Sequence, residues 1–135
     1  MNRATPKLRI YAERLIAYEM GRNTSSNSTA AFVVIEKLSP HFGALMGAAG
    51  FRALISRALV LAYPEVAWLR DLRVREDGTF EGLDELEAQA NPEEISNGGV
   101  VLLDRLLGLL VTFIGEDLTL QLLSNINDLE LGPED

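Results

Sequence analysis

The sequence contains no cysteine and a single histidine, His41. The first absence excludes disulfides, thiolate nucleophiles and cysteine-held zinc or iron–sulfur centres. The second leaves histidine-paired catalysis and multi-histidine metal sites with one residue and no second. A long uninterrupted apolar run is missing too. The longest, residues 100–114, is broken by Asp104 and Arg105, whereas a membrane span needs about 20 mostly apolar residues. Each charge near the middle of a span costs roughly 2.5–3.5 kcal/mol on insertion, so no membrane partner is expected. No continuous apolar segment precedes residue 30, so no secretory signal is expected and the cytoplasm is the expected location.

Positive charge is scarce in the second half of the chain. Residues 1–75 hold 11 basic and 5 acidic side chains, a balance of +6, while residues 76–135 hold 1 basic and 15 acidic ones, a balance of −14. The net charge of −8 opposes non-specific binding to nucleic acid or anionic lipid. The split has two readings. Either the halves pack together and neutralise each other, or each offers a field to a partner, head to tail between copies. Arg3, Lys7, Arg9 and Arg14 cluster near the start, as phosphate contact requires. Glu13 and Glu19 dilute that patch, and no helix-turn-helix pattern accompanies it, so nucleic-acid binding through the basic N-terminal half stands only as a third expectation, behind two others.

What the chain does have is apolar residues at helical spacing. At 135 residues and 47% hydrophobic content, it reads as one helical domain, residues 1–135, able to bury a core without metal or disulfide. Thr5-Pro6 is a helix start, and Leu8, Tyr11, Ala12, Leu15 and Ile16 recur on one face of a helix ending near Met20-Gly21. Residues 22–29 are polar and read as a loop. Ser28 or Thr29 can cap a second helix over residues 30–38, which Ser39-Pro40 is expected to end. Glycines at 43, 47 and 50 predict a short helix or turn, followed by a robust helix over 51–63. Pro64 then starts a further turn carrying Val66, Trp68 and Leu69.

Asp77-Gly78 is a hairpin signal. A three-residue loop, Glu76-Asp77-Gly78, sets Arg75 opposite Thr79, Val74 opposite Phe80 and Arg73 opposite Glu81, a favourable cross-strand charge pair. Residues 84–90 form a short acidic helix. Asn91-Pro92-Glu93-Glu94 is a helix start that Asn97-Gly98-Gly99 is expected to cut short. The dominant helix begins at Val100, breaks or bends at Gly115 and reaches about Ile126, with 129–135 a frayed tail. The fold class is therefore all-α, a bundle of five to six helices with a small β-hairpin near residues 72–82.

Chemistry-bearing patterns are sparse. His41-Phe42-Gly43 lacks the lysine that follows a phosphorelay histidine. Gly43, Gly47 and Gly50 match neither a phosphate loop nor a dinucleotide fingerprint. The carboxylates Glu81, Asp84, Glu85, Glu87, Glu93 and Glu94 read as a solvated face without a calcium-loop pattern. Asp104 differs, because an unpaired carboxylate inside an apolar helix would cost several kcal/mol. It is expected in a buried ion pair with an arginine of the basic half, such as Arg52 or Arg57, or with the Arg105 of another subunit. No catalytic residue, metal site or cofactor is expected.

The segment 100–123 is apolar almost all round and must be covered almost all round, as the bundle's central helix or at an interface. The expected function is a non-enzymatic interaction or regulatory domain, self-associating as a dimer through Leu103, Leu106, Leu107, Leu110, Phe113 and Ile114. A second expectation, from a different class, is a small-molecule sensor or enzyme. Its pocket would lie between helices near His41, Gly47, Gly50 and Trp68.

Overall fold

The computed structural model describes residues 6–22 and 29–131, and for residues 7, 18–22 and 126–131 the backbone alone. Along them run α1 (Pro6–Arg22), α2 (Ala30–Met46), α3 (Ala48–Ala62), a 3-10 turn (Ala67–Asp71), β1 (Arg73–Val74), β2 (Phe80–Glu81), α4 (Leu83–Gln89), α5 (Pro92–Ile114) and α6 (Glu116–Leu131). Over the described residues the protein is an all-α bundle of six helices with one small antiparallel hairpin. Thr5 and the loop residues 23–28 lie outside the described residues, as does the part of the tail at 132–135.

α5 is the central helix, packed most extensively on α3, then on α2 and α6. It starts as its residues require: Pro92 is at the first turn, and the Asn91 carboxamide oxygen accepts the Glu93 N–H at 2.8 Å. It does not stop at Asn97-Gly98-Gly99, as expected, but runs through them. The glycines serve packing here. A β-carbon on Gly98 would strike the Trp68 ring, and one on Gly99 would lie 2.9 Å from the Ala31 Cβ and 3.0 Å from the Phe32 ring. Close approach of α2 and the 3-10 turn thus outweighs glycine's poor helix propensity. By length and composition α5 could cross a membrane, yet 56% of its most apolar window is buried inside the bundle.

α2 also overrides an expected stop. It passes through Pro40 to Met46, although an interior proline costs about 3 kcal/mol. Leu38 and Phe42 on either side are buried, and Phe42 stacks on Phe51 of α3 with centroids 5.5 Å apart. That burial holds the helix together across the proline. The break comes at Gly47, whose φ of +88° an L side chain rarely adopts. Gly115 divides α5 from α6 in the same way, where the sequence placed a break or bend.

Three ends differ from expectation. α1 continues through Gly21 to Arg22. The Thr29 hydroxyl makes no capping bond, and its carbonyl instead accepts the Val33 N–H at 3.0 Å. α6 extends to Leu131, past the expected end near Ile126, although Ser124, Asn125, Asn127 and Asp128 are weak helix formers.

The hairpin has the expected register, Arg73 opposite Glu81 and Val74 opposite Phe80. The Arg75 N–H donates to Thr79 O at 2.7 Å, and the Gly78 N–H to Arg75 O at 2.9 Å. Asp77 accepts from both the N–H and the hydroxyl of Thr79, at 3.0 and 2.6 Å, which holds its carboxyl below the usual carboxylate range. Phe80 meets Phe32 edge-on at 5.3 Å, and its N–H donates to the Glu36 carboxylate of α2 at 3.1 Å.

Burial lifts the Glu36 carboxyl above its ordinary value. The Phe80 N–H and Arg75 oppose the rise, and Asp77 and Asp84 add to it. The folded chain therefore binds this proton more tightly than the unfolded one. Stability from this group is greatest below the ordinary value of 4.5 and is lost as pH rises through the raised one. Glu36→Gln keeps an acceptor for Phe80 and removes the buried charge. Its Tm is expected above wild type at pH 7, with the gap closing as the pH falls through the raised value towards 4.5. A variant less stable than wild type at pH 7 would contradict this.

Candidate functional site

α1 packs on α6 and α2 and touches α5 only lightly. Where it leans away, a groove of about 940 Å³ opens between α1 and α5, with Glu65, from the turn after α3, on its edge. α1 contributes Ala12, Ile16 and Ala17, two of them too small to fill the gap. From α5 come Val100, Val101, Leu103 and Leu107. The groove is thus mainly apolar, and Val100 stands 47% exposed on its rim.

Ion pairs cross one wall. Arg9 Nε of α1 donates to Asp104 Oδ1 at 3.1 Å, and Arg105 Nη1 donates to Asp104 Oδ2 at 2.8 Å. The other Arg105 nitrogen, Nη2, donates to Glu65 Oε2. Arg105 and Asp104 side chains are only 10% and 15% exposed, whereas Glu65 is 43% and Arg9 52% exposed. A guanidinium so deeply placed must be paired, and here two carboxylates hold it. Arg9–Asp104 joins a base of the basic half to an acid of the acidic half, whereas Glu65–Arg105 pairs the minority charge of each half.

Within the chain Asp104 is held by an arginine of the basic half, as expected, but this is Arg9 rather than Arg52 or Arg57, and the Arg105 beside it in the same chain also pairs with it. Arg52 instead donates from Nη1 to the Glu76 carbonyl at 3.4 Å.

Of the six residues expected at a dimer interface, Leu103, Leu106, Leu107 and Leu110 are buried in the chain's own core. α5 is the central helix, and Leu103 and Leu107 also form part of the groove wall beside α1. Phe113 is 67% exposed, and Ile114 is partly buried against the core. Of the four expected pocket residues, half-buried His41 lies late in α2, Gly47 at the α2–α3 break, and Gly50 is exposed in the first turn of α3. Trp68 is carried away from them onto Gly98 and Phe32, with ring centroids 6.3 Å apart in the latter pair. None of the four lines the groove.

Sequence reasoning missed Arg9, Glu13 and Glu65 as groove residues. Arg9 and Glu13, four apart, mark the polar flank of α1. Nothing local announces that Arg9 meets Asp104, 95 residues away. Among the described residues, no group of three or more metal-ligating side chains is placed to hold a metal ion. No protein-family model, curated protein or solved structure matches the chain.

Proposed function

We propose that this protein is a small-molecule-binding domain, a sensor rather than an enzyme, whose ligand lies in the groove between α1 and α5. The observation that carries the reading is the groove itself. Its volume, about 940 Å³, falls within the roughly 300–1,000 Å³ usual for ligand sites. Its lining combines apolar side chains from both helices with polar ones, Arg9 and Glu13 on α1, Asn97, Asp104 and Arg105 on α5, and Glu65. The guanidinium of Arg105 is occupied by structural pairing. The accompanying location is the cytoplasm expected from the sequence.

The neutral cage 1-adamantanol is the probe. It is expected to shift the methyl NMR signals of Ile16, Val100 and Val101 in the wild type. Filling the groove with Ala17→Phe, at an exposed position, is expected to abolish those shifts. Shifts that persist in the filled variant would overturn the reading, as would the absence of shifts in the wild type with this cage and with its amine and carboxylate counterparts alike.

A second reading remains self-association as a dimer, supported by Phe113, the most exposed large apolar side chain among the described residues. Light scattering at low and high salt separates the two. A salt-stable dimer reduced to monomer by Phe113→Glu would favour self-association, and a monomer throughout would leave the groove as the working surface.

A further inference from the structure

Five charged side chains line the groove: Arg9, Glu13, Glu65, Asp104 and Arg105. Three carboxylates against two guanidiniums leave it with a net charge of −1. Both guanidiniums are engaged. Arg105 is held between Asp104 and Glu65, and Arg9 lies against Asp104. Glu13 is different: among the described residues it makes no ion pair.

An anionic ligand would meet three carboxylates; Arg105 is held between two of them, and Arg9, half-exposed, already gives its Nε to Asp104. A neutral one would cover Glu13 and strip water from its charge without replacing it, which is unfavourable. A cationic head beside Glu13 gives that carboxylate a partner while an apolar body fills the space against Val101 and Leu107. We infer that the groove selects an amphipathic organic cation, a compact apolar body bearing one ammonium group, with Glu13 as the residue that chooses the sign of the charge. This inference rests on the groove being a ligand site.

The opposite-head pair 1-adamantanamine and 1-adamantanecarboxylate tests it, with 1-adamantanol as the neutral reference, by calorimetric titration at low salt. The amine is expected to bind about tenfold tighter than the carboxylate, a ratio that shrinks at high salt as surface charges are screened. Glu13→Gln, at an exposed position, is expected to bring the two within about threefold of each other. Glu93→Gln removes an equal charge at the start of α5, outside the groove, and is expected to leave the ratio unchanged. That control separates Glu13 from the protein's overall negative charge.

Equal binding of the three cages, or a preference for the carboxylate, overturns the inference while the groove remains a ligand site. An amine preference that survives Glu13→Gln, or that Glu93→Gln lowers as much, overturns the assignment to Glu13. Failure of all three cages to bind overturns the groove reading and this inference together.

Discussion

Asp104→Ala is expected to destabilise the protein by about 3 kcal/mol, or on the order of 10 °C in Tm. The cause is what the substitution leaves behind. Arg105 is 10% exposed and donates to Asp104 and Glu65. Without Asp104 it keeps one partner, itself 43% exposed, and one guanidinium edge is buried unpaired. Arg9→Ala removes a half-exposed partner instead and is expected to cost at most about 1 kcal/mol.

Asp104→Leu combined with Arg105→Leu separates the penalty of an orphaned charge from the worth of the pair. Both buried charges then go, and Glu65 can turn to water. Replacing a buried ion pair by apolar groups is often neutral, so the double variant is expected to be more stable than Asp104→Ala alone. Urea unfolding with unchanged m-values measures all three. A double variant less stable than Asp104→Ala would mean that the ion chain contributes net stability, against this account.

The sequence made elements legible wherever local chemistry decides. The hairpin register followed from asking which loop length puts Arg73 opposite Glu81, and the start of α5 followed from Asn91-Pro92. It misled at Pro40 and at Gly98-Gly99, where a local breaker is overruled by contacts from elsewhere in the chain. Phe42 continues α2 because Phe51 awaits it, and α5 continues through two glycines because Trp68, Ala31 and Phe32 need the space. The same limit hid the groove. Ala12 and Ala17 read as ordinary helix residues, and only the packing of α1 on α6 and α2 turns them into one wall of a cleft. The apolar stretch after Val100 was open to two readings, core or interface, and periodicity alone could not choose between them. The burial of Leu103, Leu106, Leu107 and Leu110 places that much of it in the core.

Gly99→Ala tests the close approach at the centre of the bundle, and its sign is the informative part. Elsewhere in a helix, glycine to alanine stabilises by up to about 1 kcal/mol. Gly50→Ala in α3 is expected to do so, because its β-carbon would find only the Met46 side chain, 3.8 Å away. At Gly99 the new carbon would sit 2.9 Å from the Ala31 Cβ and 3.0 Å from the ring of Phe32, which is fully buried. Ala31 cannot turn aside without moving α2, so the helices must separate. The expected net loss is about 2 kcal/mol, typical of overpacking. Gly98→Ala is expected to cost less, because the ring it strikes belongs to half-buried Trp68, which can swing outward. That movement is expected to red-shift the tryptophan fluorescence, since Trp68 is the only tryptophan. If Gly99→Ala and Gly50→Ala both raised Tm, α2 and α5 would not be in close contact there. The passage of α5 through Gly98-Gly99 would then need another cause.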